Sequence, residues 1–460
     1  MSGFQIRGVV EGFYGPPWTM EERAQIIQEM ARLEMNLYVY APKNDVLHRH
    51  RWETPYPQEF TREFKALVDV GKNSGVGVAL ALSPGLTLTY SDFGQIDALV
   101  RKYLSFAAIG VSDFCLFLDD IPLSLQKEAD RGTFASLADA QVFFTNHVYE
   151  RLKNLTAVTS FLFCPTQYCG NGQTPYLKEI GSGLHPDIDA LWTGPQVCSR
   201  TIPFEDAETV SRTLRRKVVY WDNYPVNDGS MACELHIGPY TGRDVRLPTV
   251  SRGFLINPMN QAMASIPVLT SIAAYLKDPA TYDPLSAWES ALEAFAPHCA
   301  QSLKLFAEMN LISPLNPKGE EMVSDRWIDA YSSSARSGSI AQAASLLQQH
   351  ALTLNEAVQT LKTTMPLAWL REVRPWLVEF ESWGALLLKA AELAGMFPLF
   401  FQETLDRETL DKSANALADL KTRVSKTVDH QTVCAGSGIR EFAMTMIAKI
   451  GALLRLRSWE

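Results

Sequence analysis

A (β/α)8 barrel of the α/β class, followed by an all-helical C-terminal domain, is the architecture this 460-residue sequence predicts. Three observations lead there. Eight short β-rich runs alternate with amphipathic stretches between residues 5 and 276. Eight strand–helix repeats in about 275 residues is the arithmetic of such a barrel. From about Pro284 onward the strand signal fades, and apolar residues recur three and four apart instead. The expected domains are therefore residues 1–283 and 284–460.

The elements follow in order. The first expected strand is Ile6–Val10. The helix after it, Thr19–Leu33, opens with Thr19 and Glu22 in the form of a capping box. Met35–Ala41 and Val76–Leu82 flank a second helix, Phe60–Asn73. Asp113–Leu118, Val158–Cys164, Ile188–Trp192, Val218–Trp221 and Gly253–Ile256 complete the strands. The second, third and fifth runs are nearly continuous in apolar residues, as in parallel strands covered on both faces. An open doubly wound sheet shares this rhythm, but no GxGxxG turn follows the first run. Asn223–Val250 carries little periodicity and reads as a lid or substrate-facing loop, with a disordered insertion as the alternative. In the C-terminal part Leu370, Val373, Leu377, Phe380, Gly384, Leu387, Ala391 and Ala394 mark one face of a long helix. Pro375 either starts or kinks it. Further helices are expected over Ile340–Leu361, Leu410–Thr427 and Arg440–Leu456. Core packing explains their apolar stripes better than a partner surface does.

Composition narrows the function. Hydrophobic residues make up 47% of the chain, enough for a sizeable core. Lys and Arg number 42 against 51 Asp and Glu, a net charge of −9 that argues against nucleic acid or an anionic membrane as partner. No apolar run is expected to approach the ~20 residues that span a bilayer. The seven cysteines form no CxxC pair, Cys164 and Cys169 being the closest, so free thiols in a reducing compartment are expected. The N-terminus runs straight into a strand without a basic stretch and apolar core, and the expected location is cytoplasmic.

Residues 116–120 read Leu-Phe-Leu-Asp-Asp, an apolar run that ends in two adjacent carboxylates. Burying such a pair is costly, and like charges raise each other's pKa. Chains tolerate this where chemistry needs one carboxyl protonated and one ionised. Taken alone, the pair equally fits a solvated turn or a helix N-cap. The other strand ends tip the balance: Glu11-Gly12-Phe13-Tyr14-Gly15, Ala41-Pro42-Lys43-Asn44-Asp45, Ser83-Pro84-Gly85, Cys164-Pro165-Thr166-Gln167-Tyr168, Trp192-Thr193-Gly194, Trp221-Asp222-Asn223-Tyr224 with Asp228, and Asn257-Pro258. In a (β/α)8 barrel these ends form the active-site face. Hydrogen-bonding groups among aromatics suit a sugar, whose ring stacks while its hydroxyls take carboxylates and amides.

These motifs resemble the family-84 glycoside hydrolases, the β-N-acetylglucosaminidases that include the O-GlcNAcases. The matching stretches are Gly8–Gly15 with Pro17-Trp18, Tyr40–Lys43 with Asp45, Asp119-Asp120, Cys164–Thr166 with Tyr168, Trp192–Gly194, Trp221–Asp228 and Asn257-Pro258. Asn44 departs from the Asp common at that place, and the helical part matches only loosely. The resemblance implies a retaining exo-β-N-acetylglucosaminidase acting on terminal N-acetylglucosamine of glycoproteins, by a substrate-assisted route through an oxazoline. Cell-wall or hyaluronan-type oligosaccharides, or a non-catalytic sugar-binding barrel, are the alternatives. By the same resemblance Asp119 polarises the acetamido N–H and Asp120 is acid and then base, kept protonated by its negative neighbour. Tyr168 bonds the acetamido oxygen, Trp221 walls the N-acetyl pocket and Asn223 orients Asp119. Asp228 takes the C4 and C6 hydroxyls, Lys43 and the Gly12 carbonyl hold the C3 region, and Asn257 assists at the hydroxyls. No cofactor is expected. No metal is expected either, because no His-rich ligand set joins the Asp pair. The expected partner is a glycoprotein or glycan substrate.

Overall fold

The computed structural model describes residues 3–320, 322–435 and 437–457. Eight parallel strands close a barrel in chain order. They are β1 Ile6–Glu11, β2 Leu37–Tyr40, β3 Gly77–Leu82, β4 Asp113–Phe117, β5 Ser160–Cys164, β6 Asp189–Trp192, β7 Val218–Asp222 and β8 Ser251–Ile256. Gly8 of β1 registers with Leu37 of β2 and with Leu255 of β8, which is the closure. Each strand coincides with a run expected from the sequence, because a strand buried on both faces must be apolar along its whole length. Alternate residues fill the interior: Val10, Val39, Ala81, Phe117, Cys164, Trp221 and Leu255 belong to one buried cluster. The helix Met20–Arg32 begins at Thr19 with the full capping box, the Glu22 carboxylate accepting the Thr19 N–H at 2.7 Å.

Two buried carboxylates at strand ends face outward and pin rim loops. Glu11 takes Arg23 through both oxygens at 2.8 Å, the Trp18 N–H at 3.1 Å and the Tyr38 hydroxyl. Asp222 takes Arg243 at 2.6 and 2.8 Å and the Tyr240 hydroxyl at 2.6 Å. Both were counted above among the polar strand ends. They are structural, and their lone pairs are spent on the scaffold.

The chain divides into two compact units. One contains the barrel, up to Ser230 and from Pro239 to Trp288. The other contains Met231–Gly238 and the residues from Glu289 onward. The long connection after β7 is thus ordered, not a disordered insertion. Tyr240 and Arg243 are buried in the barrel unit. In the helical unit the Cys233 carbonyl accepts the Trp376 indole N–H at 2.9 Å and the Val433 N–H at 2.8 Å. The expected helices are present as Ile340–Thr364, Leu367–Met396, Arg407–Lys426 and Gly438–Arg457. Leu367–Met396 runs on through Pro375 rather than starting there. Buried Glu379 on it accepts from the Trp383 indole at 2.9 Å and the Cys434 N–H at 3.3 Å.

One expectation needs correction. Leu367–Phe401 is long and apolar enough to cross a membrane by length and composition, the only such helix among the described residues. Its apolarity has a packing cause: Val373, Leu377, Phe380, Leu387, Ala391 and Ala394 are buried within the helical unit. It is a core helix.

Arg23→Met would strand the Glu11 charge in the barrel wall. Urea unfolding should show a loss of about 3–5 kcal/mol, the usual cost of breaking a buried pair from one side.

Candidate active site

Fifteen residues line a cavity of about 250 Å³ at the C-terminal mouth of the barrel, and they include all nine site residues expected from the sequence: Gly12, Lys43, Asp119, Asp120, Tyr168, Trp221, Asn223, Asp228 and Asn257. Strand alternation explains much of this. Val10, Ala41, Phe117, Trp221 and Leu255 point inward. Gly12, Lys43, Asp119, Asn223 and Asn257 each stand two residues further on, in phase with them. Glu11 and Asp222 are out of phase and face the helices. Parity therefore separates the site carboxylate Asp119 from the scaffold carboxylates.

Adjacent residues on a strand point to opposite faces, so Asp119 and Asp120 could not both enter one cavity from regular β backbone. The chain leaves the strand at Phe117, and Asp120 adopts φ 52°, in the left-handed region. Asp tolerates this at modest cost. The turn brings both carboxyls to one wall.

The two are held differently. Asp119 is buried, and its Oδ2 pairs with the Lys43 ammonium. Its Oδ1 has no hydrogen-bond partner among the described residues. Lys43 lies 5.4 Å from the centre of the Trp221 ring. Asp120 accepts the Tyr168 hydroxyl on Oδ1 and the Tyr14 hydroxyl on Oδ2, both at 2.7 Å. Burial pushes the Asp120 carboxyl up, but the Lys43 charge, the two tyrosine hydroxyls and Arg49 together outweigh it, and it lies below the ordinary range. The expectation that its negative neighbour keeps Asp120 protonated is thus not met in the free site. Lys43 answers the charge of Asp119, and four donors or cations favour the carboxylate.

In the free site the Tyr168 hydroxyl donates to Asp120. One further role changes. Asn223 does not orient Asp119: its Oδ1 accepts the Trp221 indole at 2.9 Å and the Asn257 amide at 2.8 Å, and its own amide goes to the Val197 carbonyl at 2.8 Å. Lys43 is the partner of Asp119. Asn257 Oδ1 accepts the Gly12 N–H at 3.2 Å, which ties β1 to β8 at the cavity floor. Glycine is required at 12, because a Cβ there would lie 2.2 Å from the Trp221 ring. Asp228 accepts the Tyr14 N–H at 2.7 Å, and burial raises its pKa.

Sequence reasoning missed Tyr14, Arg49, Val197 and Cys198. Tyr14 and Cys198 line the cavity with Val197. Tyr14 stood in a quoted motif without a role, and Arg49 lies in a loop that no periodicity marks. His48 beside it is a scaffold residue: its Nδ1 lies 2.8 Å from the Ala81 carbonyl, and burial drives its pKa down to about 4. Among the described residues no cluster of His, Cys, Asp and Glu could hold a metal ion.

A family model for β-N-acetylglucosaminidases matches residues 7–308. This chain belongs to the β-N-acetylglucosaminidase family. Among its relatives are the proteins named Protein O-GlcNAcase of Rattus norvegicus and Mus musculus, each 38% identical over 276 residues. The match covers 59% of this chain and 30% of either relative, so the chain spans about a third of the length of these curated relatives. An O-GlcNAc hydrolase from Thermobaculum terrenum, solved as its D120N mutant, superposes with a TM-score of 0.92 at 33% identity, over 99% of this chain and 97% of that one. The structure of CpGH84B gives a TM-score of 0.83 at 26% identity, over 96% and 77%. This family-84 likeness takes in the helical part, where the sequence motifs were loose.

Lys43→Met and Asp119→Asn should be coupled in a double-mutant cycle. Either alone leaves a buried charge or acceptor unanswered, and the pair should cost less than the sum by about 1–3 kcal/mol of unfolding free energy. Additive losses in urea melts would contradict the ion pair.

Proposed function

We propose that this chain is a retaining exo-β-N-acetylglucosaminidase that removes terminal β-linked N-acetylglucosamine from Ser and Thr of glycoproteins, with the substrate's own acetamido group as nucleophile. One observation carries the reading. Asp119 has one oxygen committed to Lys43 and the other unpartnered, and it lines the cavity next to Asp120. A buried carboxylate oxygen without a donor is a site for an N–H. Two protein carboxylates acting as acid and nucleophile stand on opposite sides of the glycosidic bond. Here both lie on one wall, so the attacking atom comes from elsewhere.

In this reading the acetamido N–H donates to Asp119 Oδ1, which aims the carbonyl oxygen at C1. Asp120 protonates the leaving oxygen and later takes a proton from water. A bound sugar excludes water around Asp120, and this added desolvation disfavours the carboxylate, so the acid form gains on binding. Trp221 walls the N-acetyl group, Asp228 accepts from the C4 and C6 hydroxyls, and Asn257 and the Gly12 carbonyl bound the floor. The curated relatives' name supports a protein-borne aglycone. Turnover of an O-GlcNAc peptide against a chitin oligomer tests that choice, and faster release from the peptide is expected.

Asp120→Asn should cost about 10²-fold or more in kcat on substrates with poor leaving groups, and much less on an aryl glycoside whose leaving group needs no proton. Equal losses would remove Asp120 from the acid role. An aryl β-glucoside should be essentially inert, well beyond the ~10–200-fold of a lost contact, because a reacting atom is missing. Proton NMR should show the β-anomer released first, and an initial α-anomer would mean inversion.

A further inference from the structure

Arg49 is a buried cation, 5% exposed, and its hydrogen bonds go to a phenol and a backbone carbonyl rather than to a carboxylate. An unpaired buried charge is expensive. Its guanidinium spends its donors on the active site instead. Nη1 donates to the Tyr14 hydroxyl at 2.8 Å, and Nη2 to the Asp120 carbonyl at 3.2 Å. Nε is buried without a partner. Tyr14, 41% exposed, donates its hydroxyl to Asp120 Oδ2 at 2.7 Å. The chain of contacts is guanidinium to phenol to carboxyl, with a second branch to the Asp120 backbone where φ is 52°.

The loop that carries Arg49 is held from below. The Ser83 N–H donates to the His48 carbonyl at 2.9 Å. The Lys102 ammonium caps three carbonyls, of Leu47, Trp52 and Thr54, at 2.7, 2.8 and 2.8 Å. Arg49 is thus fixed on both sides, which suits a group whose use is geometric.

We propose that Arg49 is a positioning residue for the reaction, acting through Tyr14 and the Asp120 carbonyl to hold the Asp120 carboxyl in place and to favour its deprotonated form. The inference rests on Asp120 being the acid and base of the proposed function. The acid step needs a proton on Asp120, and the water step needs the bare carboxylate. A guanidinium keeps its charge throughout, so it biases both steps by a constant amount toward the carboxylate. Other groups also face Asp120: Asp119 beside it, Lys43 after β2, Cys164, Tyr168 and Cys169 at and after β5, and Asp228 after β7. Arg49 differs from Lys43 in having no carboxylate of its own to neutralise.

The sign follows. Removing the Arg49 charge, or the Tyr14 hydroxyl, raises the Asp120 pKa. The proton needed for the acid step then persists to higher pH, and the alkaline limb of kcat/KM moves upward. The test is the pH profile of kcat/KM on an unactivated aryl N-acetylglucosaminide for the parent, Arg49→Gln, Arg49→Lys and Tyr14→Phe, with melting temperatures alongside. Arg49→Gln and Tyr14→Phe should move the alkaline limb upward. They should also lose on the order of tenfold in turnover, a part of the ~10²–10⁴ that general acid–base catalysis contributes. Arg49→Lys should bring the limb back toward the parent. Tyr14 is half exposed, so Tyr14→Phe folds and decides the matter should Arg49→Gln not fold. Folded variants with unmoved limbs and only a scaled-down rate would overturn the proposal while the parent stays active. A parent without turnover would instead overturn the function itself.

Discussion

The Lys43 ammonium meets Asp119 with both side chains withdrawn from water, at 2% and 8% exposure. Such a pair costs desolvation on both sides and is poor evidence of stability by itself. Its consequence is local: without that cation, two adjacent carboxylates, Asp119 buried and Asp120 open to the cavity, would face each other unanswered, which favours a proton on one of them. With it, Asp119 keeps a free, oriented oxygen, and Asp120 becomes a carboxylate held by two phenols. The division of labour between neighbouring residues of like chemistry follows from one positive charge on the next strand but one.

The barrel supports this by pairing the two buried carboxylates at the ends of β1 and β7. Glu11 with Arg23, Trp18 and Tyr38, and Asp222 with Arg243 and Tyr240, use both carboxylate oxygens against the helix layer and the loops. These pairs fix the rims of β1 and β7, on which Gly12, Tyr14, Asn223 and Asp228 stand. The amide relay from Trp221 through Asn223 and Asn257 to Gly12 then stitches β7, β8 and β1 across the floor. Rigidity around a few deliberately unanswered polar atoms is what a preorganised site requires.

How much of this the sequence revealed depends on which physical rule was at work. The eight strands were legible because burial on both faces forces continuous apolar runs, and the Met20–Arg32 helix because its capping box is a local signal. The site face was legible because strand ends can be read in order. Glu11 and Asp222 were read only as polar strand ends, since a charged residue at a strand end looks the same whichever way it points. Counting parity from the inward Val10 and Trp221 would have excluded both. The turn at Asp120 was not legible, because a left-handed backbone at a non-glycine residue leaves no mark in sequence. Arg49 was missed for a related reason: its partners come from loops after β1 and β4, which only the closed barrel brings together. The apolar length of Leu367–Phe401 was underestimated because scattered charges interrupt it, while its buried face is set by packing in the helical unit.

In the proposed mechanism the substrate's acetamido group attacks C1 under the guidance of Asp119. The most direct measurement is the inhibition constant of a glucosamine-fused thiazoline, a mimic of the cyclised intermediate, set beside that of N-acetylglucosamine. Tighter inhibition by about 10²-fold or more is predicted, because the site is complementary to the bicyclic species rather than to the product. A thiazoline that binds no better than the free sugar would contradict the account.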